Sequence, residues 1–258
     1  MTPDTLHHGT HNPPVQVSER EGIRFLHLGG TALQSAMRLD APFQLVLEYT
    51  RAMMGFLLFH RRPRNIALLG LGGGSLVRFM RRHLPDSHIT AVEFHPEVVA
   101  AARADFHLPP DDDHLRVVVD DGAAFVANHP DSQDVVLVDI YDAERIVESS
   151  ATAAFYRSCH DLLRPGGVGV FNLWESDPGH PLYQDRLAQA FNGHLLRLPA
   201  ETKANVVVFA FRAPLPDTAF AFLADRAARL ETDLGLEFDD FLVRMGYHNP
   251  CSDSAFLL

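Results

Sequence analysis

One feature constrains this chain more than any other: between residues 66 and 173, apolar strand-like runs alternate with amphipathic helical ones. Ile66 to Gly70, His88 to Glu93, Leu115 to Val119, Asp134 to Asp139 and Val168 to Leu173 read as strands. Ser75 to His83, Pro96 to Phe106, Ala123 to Asn128 and Thr152 to Leu163 read as helices, with Pro96 suited to a first turn. Strands this apolar are buried on both faces, as a parallel sheet requires, and the alternation predicts a doubly wound α/β fold. Arg164 to Gly167 reads as the turn before the fifth strand.

The two ends depart from that rhythm. Residues 15–28 alternate in character around Glu21-Gly22 and predict a short N-terminal β-hairpin, closed by Gly29-Gly30. After Pro42, apolar residues at 45, 46, 49, 53, 54, 57 and 58 predict a helix to about His60. Leu182 to Phe191 reads as a helix, then His194 to Leu198 and Asn205 to Arg212 as strands. The connection between those strands is too short for a parallel crossover, so they pair antiparallel. A parallel sheet closed by an antiparallel pair points to a seven-stranded, Rossmann-like sheet of the methyltransferase type. Ala219 to Leu230 and Phe238 to Met245 finish the chain as helices. The expected organisation is a disordered start over 1–14, a hairpin region over 15–40 and a nucleoside-binding catalytic domain over 41–258.

Composition narrows the partners. Thirty-three acidic against 22 basic residues leave a net charge of −11, which disfavours nucleic acid and suits a cationic substrate. Two cysteines and scattered histidines, without metal-ligand spacing, predict neither a disulfide framework nor a metal site. The apolar run Met53 to Phe59 is too short to span a bilayer, so a cytoplasmic protein without a membrane partner is expected.

The residues that carry chemistry fall where strands end. Gly70, Gly72, Gly73 and Gly74 lie between the first strand and first helix of the alternation, where glycine lets backbone approach a nucleotide. Glu93 closes the second strand, roughly 20 residues on, placed to accept hydrogen bonds from ribose hydroxyls. Asp121, with Gly122, follows the third strand, where a carboxylate can accept from an adenine amino group. Asp139, Tyr141 and Asp142 follow the fourth. Two carboxylates over one crevice suit a cationic substrate and raise one another's pKa, making one a proton acceptor. Tyr141 either covers the donor or fills a loop.

In order, these elements resemble the spermidine synthase (polyamine aminopropyltransferase) family over about residues 15–212. The likeness runs through Leu28-Gly29-Gly30 with Gln34, Gly72-Gly73-Gly74, Val92-Glu93, Asp121-Gly122, Asp139 to Asp142, Phe155-Tyr156 and the Leu163-x-Pro-Gly-Gly stretch. The resemblance implies that Gln34, Glu93, Asp121 and Gly122 hold the methylthioadenosine part of the donor. It also implies that Asp139 is the base and that Asp139 and Asp142 hold amine groups. The implied donor is decarboxylated S-adenosylmethionine, the acceptor a small amine and the assembly a homodimer. The chain departs from the family pattern at Ser75, where an amine-binding Asp is usual, at Leu47-Glu48-Tyr49-Thr50, which has no histidine, and at Ala143. Its N-terminal β region also reads as one hairpin. Ser75 keeps open a methyltransferase using S-adenosylmethionine itself. Gly70-x-Gly72 with Glu93 loosely fits an NAD-dependent dehydrogenase, and a non-catalytic nucleoside binder is the remaining alternative.

Overall fold

The computed structural model describes residues 14–29, 33–141, 148–201, 204–215 and 218–258. Its centre is a seven-stranded sheet built from β4 (Asn65–Leu69), β5 (His88–Glu93), β6 (Leu115–Val119), β7 (Gln133–Val138), β8 (Leu163–Trp174), β9 (Leu195–Pro199) and β10 (Asn205–Phe211). The strand order is β6-β5-β4-β7-β8-β10-β9. The first five strands run parallel, while β10 pairs antiparallel with both β8 and β9. The predicted fold class and its terminal antiparallel pair are both present.

Side chains alternate between two apolar layers. Ile66, Leu68, Val135, Leu137, Val207 and Phe209 enter one core cluster; Ala67, Leu69, Val136, Val138, Val206 and Val208 enter the other. The central strands β4, β7 and β10 therefore bury both faces, with helices α2 (Ser75–His83), α3 (Pro96–Asp105), α4 (Gly122–Asn128), α5 (Ala153–Leu162), α6 (His180–Ala190), α7 (Phe220–Leu234) and α8 (Phe238–His248) supplying the other elements. Chain order reverses between β4 and β7, which are neighbours. A crevice for ligands forms at the carboxyl ends of strands at such a point.

Three local expectations change. The N-terminal region is a three-stranded antiparallel sheet, β1 (Val15–Arg20), β2 (Ile23–Leu28) and β3 (Leu33–Arg38), and not a single hairpin. The third strand, Leu-Gln-Ser-Ala-Met-Arg, has no β-branched residue to announce it; pairing with β2 and burial of Ala36 and Met37 define it. The helix after Pro42 is only α1 (Glu48–Met53), continuing as a 3₁₀ turn over Met54–Leu58. Those five residues are all buried, and a Cβ at Gly55 would stand 2.9 Å from Phe209 Cζ, so contact with β10 shapes the segment. Finally, Arg164 to Gly167 is an irregularity inside β8, which begins at Leu163 opposite Gln133 and re-pairs from Val168. Residues 1–13, Gly30, Asp142 and Ala143 lie outside the described residues.

Candidate active site

The glycine bend is shaped by what crosses it. Gly70 has φ +89°, and a Cβ there would lie 2.2 Å from the backbone oxygen of Asp139. Only glycine lets β4 turn under the chain leaving β7, where Asp139 N–H donates to Leu69 O at 2.9 Å. Behind the bend, the buried guanidinium of Arg78 donates to Pro42 O (2.8 Å), Phe106 O (2.6 Å) and Gly73 O, and burial lowers its pKa to about 10. Gly73 packs so closely on Phe106 that a Cβ would meet its ring at 2.9 Å.

Gln34, Gly70, Gly72, Glu93, Asp121, Gly122, Asp139 and Tyr141 line one cavity of about 400 Å³, within the roughly 300–1,000 Å³ typical of small-molecule sites. Eight residues expected from sequence are thus gathered at one place. Gly73 and Gly74 are not among the lining residues; they support the bend from behind. Asp142 lies outside the described residues.

The acids hold well-defined positions. Glu93, nearly buried, accepts from Leu71 N–H through Oε2 at 2.9 Å and from His95 N–H through Oε1 at 3.0 Å. Each oxygen keeps a lone pair for a further donor. Asp121 caps α4: its Oδ1 accepts from Ala123 N–H (2.7 Å) and Ala124 N–H (3.0 Å). Its Oδ2 has no hydrogen-bond partner among the described residues, and Asp121 is one of the residues that line the cavity. One carboxylate can therefore cap the helix and still offer an oxygen to a ligand.

Asp139 is held by two donors. Tyr49 Oη donates to Oδ2 at 3.1 Å and Asn172 Nδ2 to Oδ1 at 2.8 Å. Burial raises its carboxyl above the ordinary range, while Asn172 and Tyr49 draw it back down by bonding to the ionised form. The anticipated cause was repulsion from Asp142; among the described residues the dominant cause is loss of water. Tyr49 itself is pushed well up by burial and then by the adjacent carboxylate, so it remains a proton donor. Tyr141 Oη donates to Asn172 O at 2.8 Å, and its ring stacks on Trp174 at 4.4 Å. Trp174 thus packs against a cavity residue.

Sequence reasoning missed Tyr49, Asn172, the aromatic rim residue Phe94 and the contribution of β2 through Leu26 and Leu28. Only the break in the Leu47 to Thr50 segment hinted at Tyr49. Ser75 Oγ turns to β3, near Ser35 Oγ (3.4 Å) and Ala36 O (3.3 Å), away from the residues that line the cavity. No group of metal-binding side chains occurs among the described residues, and no described helix is long and apolar enough to cross a membrane.

A doubly wound sheet closed by an antiparallel pair, with acids following successive strands around one cavity, places the chain in the methyltransferase-like class of fold. Residues 47–208 match the family model described as the spermine/spermidine synthase domain. The chain is 44% identical to a protein named polyamine aminopropyltransferase from Chromobacterium violaceum, over 95% of this chain and 94% of that one. A protein of the same name from Neisseria meningitidis is 39% identical over equal shares. Among solved structures, a probable spermidine synthase from Corynebacterium glutamicum superposes with TM-score 0.71 at 18% identity, covering 100% of this chain and 99% of that one, a likeness of fold. The chain belongs to the spermine/spermidine synthase family. Membership sets aside the dehydrogenase alternative.

Proposed function

We propose that the protein transfers an aminopropyl group from decarboxylated S-adenosylmethionine to a small amine, with Asp139 as proton acceptor. The observation that carries this is the part-buried Asp139 carboxylate lining a cavity of about 400 Å³, with both oxygens oriented by donors. Support also comes from relatives named polyamine aminopropyltransferase and from a spermidine synthase solved with the transition-state analogue AdoDATO, which has TM-score 0.66 and 18% identity and covers 89% of this chain.

Glu93 would accept from the donor's ribose hydroxyls and Asp121 Oδ2 from the adenine amino group, with Gln34, Gly70, Gly72 and Gly122 shaping the wall. Gly73 and Gly74 act behind it. Tyr141 would contact the acceptor, and the family resemblance assigns Asp142 an amine group to hold. An alkylammonium has a pKa of about 10.4, so at neutral pH the acceptor is protonated and must first lose a proton to free its lone pair. Asp139 takes it, the nitrogen lone pair forms the N–C bond, and the C–S electrons return to sulfur, leaving neutral methylthioadenosine. Alignment of the three atoms supplies much of the rate. Because Ser75 faces β3, the donor's amine is held elsewhere than at residue 75.

Asp139→Asn should reduce turnover by at least about a thousandfold, in the range of general-base loss, while calorimetry still detects methylthioadenosine. Unchanged turnover would reject the base. Parallel assays with decarboxylated and intact S-adenosylmethionine decide the donor, and preference for the intact form overturns the aminopropyl assignment in favour of methyl transfer. Both described thiols are free, which fits a reducing cytoplasm. The exposed edge strand β1 suits pairing with a second copy, and sedimentation should report a homodimer.

A further inference from the structure

Asp139, Asn172 and Asn205 come from three adjacent strands. Val138 pairs with Phe171 and Trp174 with Asn205, so the three residues form a row across the carboxyl edge of β7 and β8 and the start of β10. Asn172 and Asn205 are buried, and they are diagonal neighbours on one face. Asn205 Nδ2 donates to Asn172 Oδ1 at 2.8 Å, and Asn172 Nδ2 donates to Asp139 Oδ1 at 2.8 Å. The backbone oxygen of Asn172 is held separately by Tyr141 Oη.

An amide presents a donor at one end and an acceptor at the other, and a half-turn about its last torsion exchanges them. Facing Asp139 with its oxygen, Asn172 would repel the ionised carboxylate and accept from the protonated one. We infer that Asn205 is a positioning residue: by occupying Asn172 Oδ1 it locks that amide with its N–H toward Asp139 and so keeps Asp139 ready to accept a proton. Among the described residues Asn205 makes no hydrogen bond to the carboxylate and is not one of those that line the cavity, so it acts through Asn172. Hydrogen bonds in such a chain also polarise one another, which strengthens the bond to the carboxylate. The catalytic meaning rests on the proposed function; the effect on Asp139 does not.

Tyr49 from α1 also acts on Asp139, whose charge in turn bears on Tyr141 in its own loop, while Glu93, His95 and Asp121 share the cavity. None of them is altered by a change at Asn205. In Asn205→Leu, removal of the lock should raise the protonation midpoint of Asp139 by about one unit, the scale of one hydrogen bond to a carboxylate. The midpoint is read from its carboxyl infrared band, assigned by its loss in Asp139→Asn. Should the leucine variant not fold, Asn205→Val, matching Val206 to Val208, serves instead. In an Asn172→Leu background, the same change should leave the midpoint where the first substitution put it. A midpoint unmoved in Asn205→Leu, or moved equally in both backgrounds, overturns the inference. Turnover by the wild type tests the function itself: its absence removes the aminopropyl assignment while the infrared titration still decides the role of Asn205.

Discussion

A carboxylate must be ionised to accept a proton, and two opposing effects set that condition at Asp139. Burial raises its pKa, so the acid limb of kcat/KM should lie above the ordinary carboxylate value near ~3.9. Tyr49 counters this by donating to Oδ2. Tyr49→Phe removes a hydrogen bond that favours the charged form, worth about 1.5–3 kcal/mol, so the pKa rises further. The ionised fraction is then reached only at higher pH, and the limb should move up by about one to two units. A pH profile checks this; a uniform loss of rate with an unmoved limb would mean that Tyr49 only packs.

Helix α4 illustrates how an element can serve fold and site with one side chain. Asp121 uses Oδ1 to cap the helix, which leaves Oδ2 for a ligand. Asparagine caps as well as aspartate, whereas alanine does not. Asp121→Ala should therefore cost about 1 kcal/mol in denaturant unfolding, and Asp121→Asn close to nothing. Both should weaken methylthioadenosine in calorimetry, because an amide that turns its oxygen to the helix offers N–H to the adenine amino group. If Asp121→Asn binds like wild type, the adenine assignment falls and only the cap remains.

The whole molecule assembles its cavity from two sheets. The seven-stranded sheet supplies the acids and the bend, and the small N-terminal sheet adds Leu26, Leu28 and Gln34. Leu26, Leu28 and Met37 pack with Val98 and Phe106 of the α3 region, which anchors the small sheet as a wall. Leu26→Ala should cost about 2–5 kcal/mol, as other buried leucine truncations do, and loosen that wall. Methylthioadenosine affinity should fall severalfold; an unchanged affinity would show that the small sheet takes no part in the site.

Periodicity alone determined most of the elements, because strands buried on both faces and amphipathic helices leave unambiguous patterns. Gly70, Glu93, Asp121 and Asp139 were legible for a related reason: in such a sheet, residues following strands share one edge whatever their distance along the chain. The third strand, Leu33–Arg38, and the turn at Met54–Leu58 were not legible, since neighbours and not local preference hold them. Tyr49, 90 positions from Asp139, and Asn172 with Asn205, 33 apart, meet only through packing and strand register. Tertiary structure also decided which way each polar group points, turning Ser75 from the cavity and giving one oxygen of Asp121 to a helix. A sequence carries the identity of a donor or acceptor, but its direction is set by every surface that closes around it.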